Sequence, residues 1–305
     1  MTLNGIHHIS AITADAPGNV AFYAGVMGLR LVKKTVNQDD PAVYHLFYGD
    51  DHGTPGLDLT FFEYPHARRG RPGAGMVHQI GWRVASAEAI GFWAERLGRA
   101  GVAVTRDRDA LRFADPEGLR HQLVVDRSGD AALLADHPEV PAEMALRGFD
   151  GVRALALDPA SSAGVLEETL GFRRTDDGWE SRGDHRGSTY ALDQAQEHGR
   201  MGAGVVHHVA WSSATADHAE WHRRVATAGT NASPIIDRFY FKSIYFNEPS
   251  GVLFEIATEG PGFTADEPLE SLGERLSLPP RFEPLRDRLE TILTPLPNPR
   301  AVLSR

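Results

Sequence analysis

Two His-His dipeptides, His7-His8 and His207-His208, stand far apart in a chain of 305 residues. Each sits in a strand-like run, GIHHISAIT and GVVHHVAW. A third residue, Glu255, lies among apolar neighbours in VLFEIA. A lone strand histidine is more often a packed core residue than a ligand. A buried glutamate is different, because it is almost never left without a cation, a metal or a strong donor. Two imidazoles and one carboxylate from separate strands match the facial triad that leaves positions open on Fe(II) for oxygen chemistry. Three protein ligands rather than four point to catalysis over a structural role. Neighbouring strand residues face opposite sides, so one histidine of each pair faces a shared cavity and the other packs or reaches its edge.

The elements that must position these residues repeat. GAGMVHQIGWRV at 73–84 and GAGVVHHVAWSS at 202–213 share a glycine-rich turn and an apolar strand. A helical pattern follows each, with Trp93 and Trp221 at matching places, and then a turn and strand with Pro116 matching Pro249. A weaker pair joins 18–35 to 162–178. The reading is four strand–helix–strands units beginning near Gly5, Met76, Gly148 and Val205. This is an α+β architecture of four βαβββ modules paired into two half-barrel-type domains. Residues 1–135 are expected to hold modules 1 and 2, and residues 136–305 modules 3 and 4 with a Pro-rich tail. The Ala/Asp/Pro-rich stretch 128–147 reads as the linker.

The repeat also supplies an internal control. His208 falls opposite Gln79, Glu255 opposite Gln122, and His7-His8 opposite Asp150-Gly151. One set of positions carries ligands and the other does not.

Composition narrows the function. Net charge is −10 with no Lys/Arg stripe, which argues against nucleic acid. Cysteine is absent, which removes disulfides, thiolate nucleophiles and cysteine-ligated metals. No apolar run is long enough for a membrane helix. MTLNGIHHIS has no basic stretch followed by an apolar one, so a cytoplasmic location is expected. A homo-oligomer is expected because such assemblies are common. His45, His52 and His78 read as structural or solvated, and the acidic turn 49–53 as a tight loop near the site mouth. A short amphipathic helix is predicted near 283–293, in a tail that packs over the domain or a partner subunit and covers the pocket.

At GIHHISAIT, YHLFYGDDHGTPGLDLTFFEYP, GVVHHVAW, DRFYFKSIYFNEPSGVLFEIAT and PGFTADEPLESLGERLSLPP the chain resembles the vicinal oxygen chelate superfamily. Within it, the chain is similar to the ring-cleaving dioxygenases that act on hydroquinones. The resemblance implies Fe(II), with Mn(II) fitting the same ligands, held by His8, His208 and Glu255. It implies a small aromatic substrate and O2, and extradiol-type cleavage of a hydroquinone-like ring. His7, His207, Arg238, Tyr245 and Ser10 correspond to residues near the metal or ring. His207 is expected to act as base and then acid, and Arg238 to hold a developing oxyanion or simply to pair with Asp237 or another carboxylate. The metal site would be shared between modules one and four. The competing readings are a catechol extradiol dioxygenase, a glyoxalase-type metal-dependent isomerase, and a metal-free binding protein of the same fold.

Overall fold

The computed structural model describes residues 1–107 and 109–300. Four modules repeat the order strand, helix, three strands. The first comprises β1 (Leu3–Thr13), α1 (Ala16–Val20) running on as a π-helical turn (Ala21–Val26), β2 (Arg30–Val36), β3 (Tyr44–Gly49) and β4 (Asp58–Glu63). The second comprises β5 (Met76–Val84), α2 (Ala87–Arg99), β6 (Val104–Asp107), β7 (Ala110–Ala114) and β8 (Arg120–Val125). The third comprises β9 (Phe149–Ala156), short 3₁₀ and π-helical turns (Pro159–Ser162, Val165–Thr169), β10 (Arg173–Thr175), β11 (Gly178–Arg182) and β12 (Gly187–Gln194). The fourth comprises β13 (Val205–Ser213), α3 (His218–Thr227), β14 (Ile236–Asp237), β15 (Lys242–Asn247) and β16 (Leu253–Thr258).

Local chemistry sets these elements. Ser86 Oγ accepts from Ala89 N at the start of α2, satisfying a backbone donor the helix cannot. Ala89, Ile90, Trp93 and Leu97 recur at helical spacing and are buried together. Arg96 and Arg99 stand in the last turn, where the helix dipole favours cations. Asp15 caps α1 through Gly18 N, with Pro17 in the first turn.

The strands form two eight-stranded sheets, ordered β14-β15-β16-β13-β1-β4-β3-β2 and β10-β11-β12-β9-β5-β8-β7-β6. Modules 1 and 4 therefore share one sheet, and modules 2 and 3 the other. Each sheet takes one module from either side of residue 135, so that division separates the chain in sequence and not by sheet. The stretch 128–147 is no loose linker, because Val140, Ala145 and Leu146 are buried in the common core. Trp82, Trp93, Trp211 and Trp221 are fully buried, and each large apolar side chain contributes about 1.5–3 kcal/mol by leaving water.

The tail wraps the first sheet. Lys33, fully buried in β2, donates to Phe263 O and Ser277 Oγ and pairs with Asp266 and Glu267. Leu278, Leu289 and Leu293 join the core. The predicted helix is shorter than expected: α4 spans Arg286–Ile292, and Pro280–Leu285 is a 3₁₀ turn containing Pro284. Proline lacks the N–H an α-helical turn needs. Among the described residues, none from the tail lines the cavity described below. No helix among the described residues is long and apolar enough to cross a membrane.

Candidate metal centre

Three adjacent strands, β1, β13 and β16, carry the three donors. In the register His8 stands opposite Ala210, Ala210 beside Glu255, and His208 opposite Ser10. His208 and Ala210 are two apart and share a face. Ala210 is thus the middle of a row His8–Ala210–Glu255, and its methyl group leaves space for the two larger side chains to converge. Register shifts between Leu3 and Ile6, where Gly5 has φ +72°, and between Ile6 and His8 set β1 into this register.

The donors are almost wholly buried: Glu255 is 0% exposed, His8 2% and His208 4%. Nε2 of His8 and of His208 lie 3.3 and 3.0 Å from Glu255 Oε2, and 3.3 Å from each other. Despite these distances, neither carboxylate oxygen of Glu255 has a partner in hydrogen-bond geometry among the described residues. Ligand atoms of all three residues fall within 4.8 Å of one another. A buried carboxylate left this way costs several kcal/mol unless a cation completes it. Two imidazoles and a carboxylate aimed at one point are the donor set of a divalent metal with positions left open. The residues fit such an ion.

The flanking histidines fix the tautomers. His7 Nε2 lies 3.1 Å from Thr258 O, which can only accept. The His7 hydrogen is therefore on Nε2, and His7 Nδ1 accepts from His8 Nδ1 at 3.0 Å. That leaves the His8 Nε2 lone pair directed at the site. His207 Nδ1 lies 2.8 Å from His208 Nδ1 in the same arrangement. A His208 that offers its Nε2 lone pair donates from Nδ1, so His207 carries its hydrogen on Nε2.

Burial, then His8, pushes His7 down to about 3. Burial, then His208, pushes His207 down to about 4. His208 is lowered chiefly by burial. Burial would push Glu255 up, but protons on His8 and His208, whose place a bound cation would take, more than offset it and hold its carboxyl well below the usual range.

Above the donors lies a cavity of about 220 Å³. A cavity of roughly 150 Å³ holds benzene, so one substituted ring fits. Phe47, Phe62 and Phe241 supply apolar wall, and His207, Arg238 and Tyr245 supply polar groups. Arg238 Nε donates to Tyr245 Oη at 3.3 Å, and Nη1 and Nη2 each donate to Asp39 at 2.9 Å. Burial opposes the charge on Arg238, yet Asp39 and Tyr245 raise its pKa above the usual value. Burial pushes the Tyr245 phenol up.

Of the residues picked from sequence, His8, His208, Glu255, His207, Arg238 and Tyr245 all border the cavity. His7 and Ser10 do not. His7 lies behind His8, and Ser10 Oγ sits 2.7 Å from Thr60 Oγ1. Arg238 pairs with Asp39 rather than Asp237. Asp39 carries no sequence signal, and His45, read from the sequence as structural or solvated, borders the cavity. Asp39 comes from the loop between β2 and β3. His45 lies between the rings of Phe47 and Phe62, at 4.0 and 4.2 Å between centroids, and contacts Thr60 Oγ1 at 2.9 Å. His45 and Phe47 share a face of YHLFYG, and that alternation could have found it. His78 is structural, 2.7 Å from Asp193 in the other sheet. The turn 49–53 is held by Asp50, which accepts from His52 N and Thr54 N, and it does not border the cavity.

The family model described as Glyoxalase/Bleomycin resistance protein/Dioxygenase superfamily matches residues 5–123 and 148–256, two modules in each stretch. MhqA of Bacillus subtilis (strain 168), named "Putative ring-cleaving dioxygenase", is 39% identical over 97% of this chain and 100% of its own. Chlorohydroquinone/hydroquinone 1,2-dioxygenase of Sphingobium indicum is 32% identical over 94% of this chain and 95% of its own. A crystal structure from Bacillus subtilis subsp. subtilis str. 168, described as a "putative dioxygenase", superposes with a TM-score of 0.89 at 40% identity, covering 97% of this chain and 98% of that one. The vicinal oxygen chelate fold expected from the sequence is the fold of this superfamily. The chain belongs to the Glyoxalase/Bleomycin resistance protein/Dioxygenase superfamily and, within it, to the ring-cleaving dioxygenases.

Proposed function

We propose that the protein holds Fe(II) at His8, His208 and Glu255 and cleaves a hydroquinone-like ring with O2 in the extradiol manner. Mn(II) fits the same donors. The observation that carries this is the buried, unpartnered Glu255 carboxylate converging with two Nε2 atoms under a ring-sized cavity. Bound there, the metal supplies Lewis acidity toward a phenolic oxygen and the redox capacity that lets dioxygen react with an aromatic ring.

The chain's own residues do the rest. Phe47, Phe62 and Phe241 hold the ring and keep water from it. His7 and His207 fix the ligand tautomers through their Nδ1 atoms. A hydroquinone has its hydroxyls para, so one ion cannot chelate both and the second needs protein partners. His207 offers an Nε2–H, Tyr245 a phenol and Arg238 a permanent positive charge. On this reading His207 donates to a ring oxygen rather than taking a proton from it. The relative named as a chlorohydroquinone/hydroquinone 1,2-dioxygenase supports the ring class.

The test is anaerobic loading with Fe(II), followed by oxygen-electrode traces with hydroquinone, methylhydroquinone and catechol. Uptake with a hydroquinone, lost in Glu255→Gln, is expected. Uptake with catechol alone would keep the metal site and discard the ring class. No uptake from protein carrying one Fe(II) per chain would overturn the dioxygenase reading for these rings and turn attention to an isomerase.

A further inference from the structure

Among the described residues, three acidic or basic side chains other than histidine border the cavity: Glu255, Arg238 and Asp39. Burial lowers the pKa of His45, His207 and His208. Glu255 is directed at the metal position. The charge a ring substituent meets is therefore set by Arg238 and Asp39.

Their geometry is specific. Both terminal nitrogens of Arg238 are taken by the two oxygens of Asp39, each at 2.9 Å. The third guanidinium nitrogen, Nε, is taken by Tyr245 Oη. The arginine side chain is 15% exposed and the aspartate 71%, so Asp39 covers Arg238 from the solvent side. The cover is held in place. Gln38 Nε2 donates to Arg238 O at 2.5 Å, and Arg281 Nη2 donates to Gln38 Oε1 at 2.8 Å, tying the loop to both the fourth module and the tail. Arg238 itself is presented by a tight turn in which Tyr240 N donates to Arg238 O around Phe239 at φ +70°. Such a backbone is rare and strained for a residue with a side chain. A guanidinium with free forked donors would capture a carboxylate on a ring. This one has its fork already filled.

We infer that Asp39 is a specificity-determining residue, masking Arg238 so that the cavity accepts dihydroxyaromatics with uncharged substituents and discriminates against those bearing a carboxylate. The inference rests on the ring-binding reading of the cavity given above. It goes beyond that reading in naming which rings enter and why.

The matched probes are methylhydroquinone and 2,5-dihydroxyphenylacetate, which differ by one carboxylate on the methyl carbon. Their dissociation constants are measured by calorimetry under argon, on metal-free and Fe(II)-loaded protein, for the parent chain, Asp39→Asn and Asp39→Glu. The parent should prefer the neutral ring by roughly tenfold or more, a size reduced by solvent at the rim. In Asp39→Asn that preference should fall by about tenfold, while Asp39→Glu, which keeps the charge, should retain most of it. An unchanged preference in Asp39→Asn, a parent that prefers the anionic ring, or no binding of either ring would each overturn the inference. Failure of the dioxygenase reading looks different: no oxygen is consumed when air is admitted, while the binding preference and its response to Asp39→Asn persist.

Discussion

The two sheets are copies of one plan, and they differ at the three positions that matter. In the first sheet the row across three strands is His8, Ala210, Glu255, with His208 two residues from Ala210. In the second, the register puts Gly151 opposite Gly81, and Gly81 beside Gln122, with Gln79 two residues away. Imidazole, imidazole and carboxylate are replaced by nothing, amide and amide. Gln79 Nε2 donates to Gln122 Oε1 at 2.6 Å, so the two amides satisfy each other. The Glu255 carboxylate has no hydrogen-bond partner among the described residues and faces only two converging imidazole nitrogens. The same backbone thus yields a closed polar pair in one sheet and an open donor set in the other. A fold that brings three strands together makes a place for a ligand, and the side chains decide whether anything is bound there.

The largest expected effect comes from making the first sheet resemble the second. Glu255→Gln copies Gln122, and metal affinity should fall by more than about a hundredfold, since partners one shell further out already cost 10–100-fold. Calorimetric titration with Mn(II) in the absence of oxygen measures it. The reverse conversion should fail. A Cβ at Gly151 would overlap Thr189 Oγ1 and the Thr189 carbonyl. Gly151→His added to Gln79→His and Gln122→Glu should therefore bind no second ion and lose about 3 kcal/mol in denaturant unfolding. A second bound ion in that triple variant would break the comparison.

A smaller effect is expected behind the ligands. His7→Leu removes the acceptor for His8 Nδ1, and Mn(II) affinity should drop roughly 10–100-fold with the fold retained by circular dichroism. The smallest difference concerns stability against acid. His121 of β8 stands where β16 has Phe254. It accepts from Trp82 Nε1 at 3.0 Å and lies 3.0 Å from Tyr23 Oη, and burial pushes it down to about 3. Its folded pKa lies below its unfolded one, so the unfolded state takes the proton first. Stability is lost as pH falls from the ordinary histidine value toward 3, with a slope of about one proton. His121→Phe should lessen the pH dependence of stability of the metal-free protein between pH 6 and 4 by about one proton, the rest being carried by His7, His207 and other buried histidines. A pH dependence unchanged from the parent chain would contradict this role for His121.

Much of this was legible in the sequence because it is local. Each His-His pair lies in one strand, Glu255 is flanked by apolar residues, and the repeat itself exposes Gln79 and Gln122 as the unmatched copies. The family resemblance added the pairing of modules one and four. What stayed hidden depends on contacts distant in sequence. Asp39 is 199 residues from Arg238, and nothing in its loop marks it apart from Asp40 or from Asp237, the carboxylate next to Arg238. His45 enters the cavity only because β3 lies two strands from β1, and a histidine between two phenylalanines reads as core. The division of the chain at residue 135 follows sequence order, whereas the sheets follow the antiparallel pairings β1–β13 and β5–β9.

One sheet is expected to hold a metal and its copy none. Crystals soaked anaerobically with Fe(II) and measured at the iron absorption edge should show one anomalous peak per chain, bonded to His8 Nε2, His208 Nε2 and Glu255. A peak between Gln79 and Gln122, or none at Glu255 in protein that carries iron, would contradict it.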